Sequence, residues 1–338
     1  MSRLKVGVIG AGAWGKNHVR TLAGMADVEL AAVCDANPST RSKLTAQYPD
    51  TLITDQPSEL FKQVEAVVIA APAPAHAPLA LEAVAAGIPA LVEKPFALSV
   101  RDAEAMAEAA EKKKVPLLVG HLLVHHPIIA LLQKKLTDGS LGTPYYLYSQ
   151  RVNLGQVRPD ENALWSLGPH DVSIALHLLG EAPTHVAAHG HAYLQPGIED
   201  VVFLIMTFAS GVVAHAQLSW LDPHKERKLT VVGSKQMAVF DDMAPREKLR
   251  IYDKGVDRKE AFISAAESLT LREGDISIPR IPGGEPLPIE LAHFVRVARG
   301  AAPERTDASD GVRVVRVLEA ASKSLAAGGI PMAVEMAG

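Results

Sequence analysis

The sequence predicts an α/β protein of two domains: an N-terminal doubly wound parallel sheet, then an α+β domain with an open, largely antiparallel sheet. Three observations carry this. Short β-branched runs alternate with Ala-rich helical stretches through the first third of the chain, and a glycine-rich turn follows the first run directly. Beyond about residue 121 the segments lengthen, alternate polar with apolar residues and are joined by hairpin turn signals. At 338 residues the chain exceeds what one core usually supports, and the change of rhythm divides it into residues 1–122 and 123–338.

The elements follow in order. Leu4–Ile9, Val28–Cys34, Ala66–Ala70, Ala90–Val92 and Leu117–Val119 are nearly continuous apolar runs, as strands buried on both faces should be. In the second domain, Phe203–Phe208 and Val212–Trp220 flank Ala209-Ser210-Gly211. Thr230–Val232 and Met237–Phe240 flank Gly233-Ser234-Lys235-Gln236, which makes two hairpins. A Gly- and Pro-rich stretch, Gly274–Pro288, leads into helical patterns over Glu290–Arg299 and Asp310–Ala327. An open sheet with helices on one face leaves the other unburied, so a homodimer or homotetramer through that face is expected.

Composition removes several classes of function. Lys and Arg number 34 against 38 Asp and Glu, a formal charge of -4, without the clustered positive charge that nucleic acid or anionic membrane requires. The most apolar stretch, Ala66–Ala90, is interrupted by Pro72, Pro74, His76, Pro78 and Glu82 and cannot span a bilayer. One cysteine, Cys34, permits neither an intrachain disulfide nor a thiolate zinc cage. A soluble cytoplasmic protein is expected. His125-His126 and the pair His189 and His191 are the nearest approach to metal ligands, but no third ligand of suitable spacing accompanies them, and no metal is expected.

Gly10-Ala11-Gly12-Ala13-Trp14-Gly15 joins the first strand to a helical pattern. Gly10 permits the tight turn, Gly12 admits a pyrophosphate to the backbone, and Gly15 allows the helix to pack closely on the strand. The anion then lies at the helix N-terminus, against the loop that carries Ala13 and Trp14. Asp35 ends the second strand 20 residues after Gly15, where its carboxylate can accept from both ribose hydroxyls. The same carboxylate would repel a 2′-phosphate. NAD is therefore expected over NADP, with Arg41 as the competing signal.

Ala71-Pro72-Ala73-Pro74-Ala75-His76 and Glu93-Lys94-Pro95 each lie just past a strand of the first domain, at the carboxyl ends where such sheets bind ligands. Together with the glycine loop, they resemble the Gfo/Idh/MocA family of NAD(P)-dependent oxidoreductases. The most specific pieces are the Glu-Lys-Pro motif and the helix start Leu167-Gly168-Pro169-His170-Asp171.

The resemblance implies a Rossmann domain, a substrate-binding and oligomerisation domain, and last helices (about 290–327) that pack back on the first domain. It puts Pro72, His76, Glu93 and Lys94 at the cofactor, Lys94 also at the substrate, and His170 at the active site. A cis bond at Lys94-Pro95 is implied as well. The chemistry is consistent with these roles. An ammonium beside the reacting hydroxyl stabilises a developing alkoxide, and an imidazole that titrates near neutrality can take the hydroxyl proton as hydride leaves.

Many family members carry an aspartate four residues before this histidine, where the chain has Ser166. Asp171 cannot replace it, because adjacent helical positions point about 100° apart. Trp165-Ser166 and Ser219-Trp220-Leu221-Asp222-Pro223 look most like the branch that acts on nucleotide-activated amino sugars. Arg151, Asn153, Arg158, Lys225 and Arg227 would then serve a diphosphate, and Tyr145, Tyr146 or Tyr148 would stack on a ring.

The expected reaction is oxidation of a UDP-N-acetylhexosamine at C3, with hydride passing to NAD. The alternatives are an inositol or free-sugar dehydrogenase, a ketosugar reductase, or a regulator that binds NAD without catalysis.

Overall fold

The computed structural model describes residues 2–155, 157–159, 161–258, 269–281 and 283–335. They form two compact units, Met1–His125 with Gly284–Arg316, and His126–Gly283 with Val317–Gly338.

The first unit contains strands β1 (Leu4–Ile9), β2 (Val28–Cys34), β3 (Leu52–Thr54), β4 (Ala66–Ile69), β5 (Ala90–Glu93) and β6 (Leu117–Gly120). Helices α1 (Gly15–Ala23), α2 (Pro38–Gln47), α3 (Pro57–Phe61), α4 (His76–Ala85) and α5 (Val100–Lys113) alternate with them. All strand pairs are parallel, in the order β3-β2-β1-β4-β5-β6. The order reverses between β1 and β4, and the loops after these two strands flank the crevice where such a sheet receives its ligand. β3 is an edge strand that apolar periodicity does not reveal, because three residues are too few to show a period.

Two helices of this unit, α2 and α5, begin on side-chain caps. Asn37 accepts from the amide of Ser39 (2.9 Å) ahead of Pro38, and Ser99 accepts from that of Asp102 (3.1 Å). Helix α8 (Pro286–Ala298), distant in sequence, places Leu291, Phe294 and Val295 in the same buried cluster as Val6, Val8, Val19 and Leu22. The division between the units falls inside α9 (Ala308–Ala326), after Arg316.

The second unit holds α6 (Pro127–Thr137), β7 (Pro144–Val152), α7 (Ala163–Leu179) and strands β8 (Pro183–His191) to β14 (Leu269–Ser277). The strands between are β9 (Val201–Phe208), β10 (Val213–Ser219), β11 (Glu226–Gly233), β12 (Met237–Asp241) and β13 (Leu249–Arg258), and a short β15 (Met332–Ala333) follows α9. Its nine-stranded sheet runs β14-β13-β12-β11-β7-β10-β9-β8-β15. Both expected hairpins are present, β9 with β10 and β11 with β12, and every pair is antiparallel except β7 with β10. Helix α7 packs on β7, β9 and β10. On the opposite face Tyr146, Tyr148, Val213, His215, Phe203 and Ile205 lie in register, with Tyr146 and Tyr148 stacked at 6.3 Å. Most of these are exposed.

Candidate active site

The glycine loop is shaped by the lack of space around it. Gly10 has φ +89°, and a Cβ there would stand 2.6 Å from the backbone of Ala70 and Ala71; a Cβ on Gly15 would stand 1.9 Å from the Gly10 carbonyl oxygen. Gly12 differs: nothing lies within 4 Å of where its Cβ would be, and Gly12, Ala13 and Trp14 are exposed. The first and third glycines are thus demanded by the fold, and the second leaves open space in front of the backbone.

Asp35 is oriented from this loop. Its Oδ2 accepts from the Ala11 amide (2.7 Å) and its Oδ1 from the Asn37 amide (2.8 Å), and each oxygen keeps a lone pair for a ribose hydroxyl. Arg41 donates to the carbonyls of Asp35 and Ala36 (both 2.9 Å) and pairs with Asp55 at 3.0 Å, so its guanidinium is already engaged. An open approach to the backbone, a helix N-terminus and an oriented acid fit a dinucleotide.

The loops after β4 and β5 meet at His76. Its buried ring lies between the Pro95 carbonyl (Nδ1, 2.8 Å) and the Ala71 carbonyl (Nε2, 2.8 Å), which ties the Pro72 turn to the Lys94 turn. The Lys94-Pro95 peptide is cis.

Glu93 points inward and is almost wholly buried. Burial raises its pKa, but the hydrogen bond and charge of His18, the Trp14 indole and the Lys94 charge outweigh this and hold the carboxyl below its usual range. Two further buried groups feel its charge. Burial pushes the His121 imidazole down to about 4 against the pull of Glu93, and pushes Glu290 on α8 well above the usual carboxyl range, with Glu93 adding to the effect. Sequence reasoning passed over His18, His121 and Glu290. The available signal for His18 was its place one turn after Trp14, on the side of α1 that turns toward the sheet.

In the second unit, Asn162 caps α7 by accepting from the Trp165 amide (3.1 Å). Gly168 lets α7 approach closely, since a Cβ there would meet Leu164, Leu218 and Leu318 at 3.3 Å. Pro169 lies inside the helix, where its ring removes the hydrogen bond that would reach the Trp165 carbonyl. His170, half-buried, follows directly. Ser166 is buried one turn earlier.

Arg151, expected to meet a diphosphate, donates instead to Asp171 through Nε (2.6 Å) and Nη2 (3.4 Å), with both side chains nearly buried. This pair fastens the residue next to His170 onto β7. The side chains of Tyr146 and Tyr148 alternate to the sheet face away from Arg151, so they do not share its side for stacking. Asn153 continues from β7, its amide bonded to the Ser219 carbonyl (3.1 Å). Trp165 donates from its indole to Ser322 (2.9 Å), and the buried Trp220 donates to Asp200 (2.8 Å). Arg158 pairs with Glu161 at 2.9 Å, and Lys225 and Arg227 are exposed. Among the described residues no three His, Cys, Asp or Glu side chains gather as metal ligands, and no helix is long and apolar enough to cross a membrane.

The contrast among the glycines gives a direct expectation. Gly12→Ala should leave the melting temperature within about 2 °C of wild type while weakening dinucleotide binding at least about tenfold, because its methyl group projects into the ligand's approach. Gly15→Ala should instead lower the unfolding free energy by about 2–4 kcal/mol in urea titrations. Equal stability losses in the two variants would refute this account of the loop.

Comparison with known proteins agrees with this geometry. A family model described as the oxidoreductase family with NAD-binding Rossmann fold matches residues 4–121, and the GFO/IDH/MocA C-terminal domain matches residues 129–239. UDP-N-acetylglucosamine 3-dehydrogenase of Acidithiobacillus ferrooxidans is 28% identical over 329 residues, covering 95% of this chain and 96% of that protein. Its solved structure, named GnnA, superposes with a TM-score of 0.80 at 25% identity, over 97% of this chain and 99% of the other. GenD2 from gentamicin A biosynthesis, solved in complex with NAD, gives a TM-score of 0.81 at 25% identity over 99% and 97%. Inositol 2-dehydrogenase 2 of Saccharopolyspora erythraea is 30% identical over 224 residues, 64% of this chain and 66% of its own. With both domain models matched in order and a dinucleotide loop of the required shape, the chain belongs to the Gfo/Idh/MocA family of NAD-dependent oxidoreductases, which act on CH–OH groups.

Proposed function

We propose that this enzyme oxidises a nucleotide-activated amino sugar, a UDP-N-acetylhexosamine at its 3-hydroxyl, with NAD as acceptor. The observation that carries the substrate class is the extent of the likeness. Similarity to the UDP-N-acetylglucosamine 3-dehydrogenase runs through 95% of the chain, second unit included, whereas that to the inositol dehydrogenase stops at 64%. Ser166, in place of the aspartate common in the family, supports the same reading. The second reading, an inositol or free-sugar dehydrogenase, draws on the slightly higher identity over that shorter stretch.

NAD, when bound, supplies the hydride acceptor. The protein's part is to hold charge and move one proton. The loop from Gly10 through Gly12, Ala13 and Trp14 to Gly15 receives the pyrophosphate through its backbone amides, and Asp35 takes the ribose hydroxyls. The Asp35 carboxylate would repel a 2′-phosphate, and Arg41 already serves two carbonyls and Asp55, which supports NAD over NADP. Lys94 stabilises the oxygen from which hydride departure begins to make a carbonyl, and His170 takes the hydroxyl proton. The products are a ketosugar, the reduced nicotinamide and one proton. Remote binding of the diphosphate positions the sugar, so a free sugar loses turnover as well as affinity.

One assay of nicotinamide reduction with UDP-N-acetylglucosamine, N-acetylglucosamine and myo-inositol, run with NAD and with NADP, tests the substrate. The nucleotide sugar with NAD should give the highest kcat/KM; a higher value for myo-inositol would install the second reading. On the best substrate, Lys94→Ala and His170→Ala should each lower kcat by about 10²–10⁴-fold while NAD affinity is retained. No turnover on any sugar despite tight NAD binding would favour a regulator.

We also propose that a second copy covers the sheet face bearing Tyr146, Tyr148, Phe203 and Ile205, giving a dimer or tetramer. A face of this size left to water is unusual for a sheet covered by helices on one side only. Sedimentation at micromolar concentration should show a dimer or tetramer, shifted toward monomer by Ile205→Lys. Monomer alone would overturn it.

A further inference from the structure

Glu93 is surrounded in a way that hydride transfer by itself does not require. It ends β5 with its side chain turned inward, and Gly120, its partner on β6, leaves the room: a Cβ there would stand 3.2 Å from the Glu93 carboxyl carbon. Oε1 accepts from the Trp14 indole N–H at 2.6 Å and lies 2.7 Å from His18 Nε2, while Oε2 accepts from the Lys94 amide at 3.0 Å. His18 is fully buried, and its ring meets that of Trp14 edge to face at 6.1 Å. Trp14 is 42% exposed within the glycine loop although its N–H is tied to Glu93.

The two oxygens therefore divide their partners. One holds the loop and the first turn of α1; the other holds the backbone of the residue that carries the lysine. Hydrogen bonds to a buried charged carboxylate are short and strong, and losing one donor leaves the group under-satisfied, so the remaining contacts readjust rather than ignore the loss. A displacement of Trp14 on either side of its resting position must reach Lys94 through a path of one side chain.

We propose that Glu93 is a positioning residue that makes dinucleotide docking on the glycine loop and placement of Lys94 a single event, with Trp14 and His18 as the loop's half of the link. This rests on the assignment of the loop as the dinucleotide site and of Lys94 to the chemistry.

Trp14→Phe keeps an aromatic ring while removing the N–H and the pyrrole half of the indole, and its half-open position lets the fold tolerate the change. Hydrogen–deuterium exchange over residues 93–97, with and without NAD, is compared with calorimetric NAD affinity and with kcat and KM. In the wild type, NAD should slow exchange over this segment at least about threefold. In Trp14→Phe, ligand-free exchange there should rise by about tenfold, NAD should no longer slow it, and NAD affinity should stay within about threefold. In turnover, kcat should fall with KM for NAD unchanged, the pattern of a mispositioned lysine rather than of a lost cofactor contact. Glu93→Gln should reproduce this pattern from the other end of the link.

The proposal is overturned if NAD slows exchange over 93–97 equally in wild type and Trp14→Phe. It is equally overturned if Trp14→Phe loses NAD affinity with that exchange unchanged, which would make the indole an ordinary cofactor contact. A wild type that binds no NAD would defeat the dinucleotide assignment instead, and the ligand-free exchange of the two proteins would still decide whether the link exists.

Discussion

The first unit depends on one close approach: the start of α1 lies so near the turn after β1 that Gly15 has no room for a single methyl group. That contact brings the helix N-terminus over the end of the sheet. It also sets the distances by which Ala11 reaches the Asp35 carboxylate and Trp14 and His18 reach Glu93. Three strand ends far apart in sequence are thereby held together by polar bonds that originate in one short loop. A carboxylate is the natural element for such bonds, since it accepts several donors at once and a buried charge tolerates no missing partner.

The second unit achieves a similar placement with different means. Helix α7 carries a proline where a helix ordinarily has an amide, immediately before His170, and an ion pair immediately after it. A proline in a helix interior costs about 3 kcal/mol, and the neighbouring Gly168 contacts and the Arg151–Asp171 pair are the interactions available to offset it. The aromatic residues of β7 show how strictly a strand sorts its side chains. Arg151 turns to the helix-covered face and Tyr146 and Tyr148 to the open one, so residues close in sequence serve separate surfaces.

A family with one fold and many sugar substrates separates two kinds of information. The glycines, the acid after β2 and the lysine after β5 are the residues the proposed reading gives to cofactor and chemistry, and each sits where the parallel sheet ends. Under the proposed reading, substrate choice would fall to side chains of the second unit such as Ser166 and Asn153, since the fold itself does not fix the substrate.

The parts whose causes are local can be read in the order of the amino acids. Strand runs buried on both faces, the two hairpins, the glycine turn with Asp35 at the next strand end, and the motifs around Lys94 and His170 all declare themselves through residue type and spacing over a few positions. β3 escaped because three residues carry no period. Which groups stand opposite one another was settled by the folding of distant segments together. It spent Arg151 on Asp171, tied Arg41 to Asp55, and turned Glu93 inward to meet a tryptophan 79 positions away and a histidine 75 positions away. It also brought Glu290, from near the far end of the chain, within reach of the Glu93 charge. Charge, hydrogen bonding and desolvation act through space, and neither composition nor periodicity reports which distant groups will share a buried site.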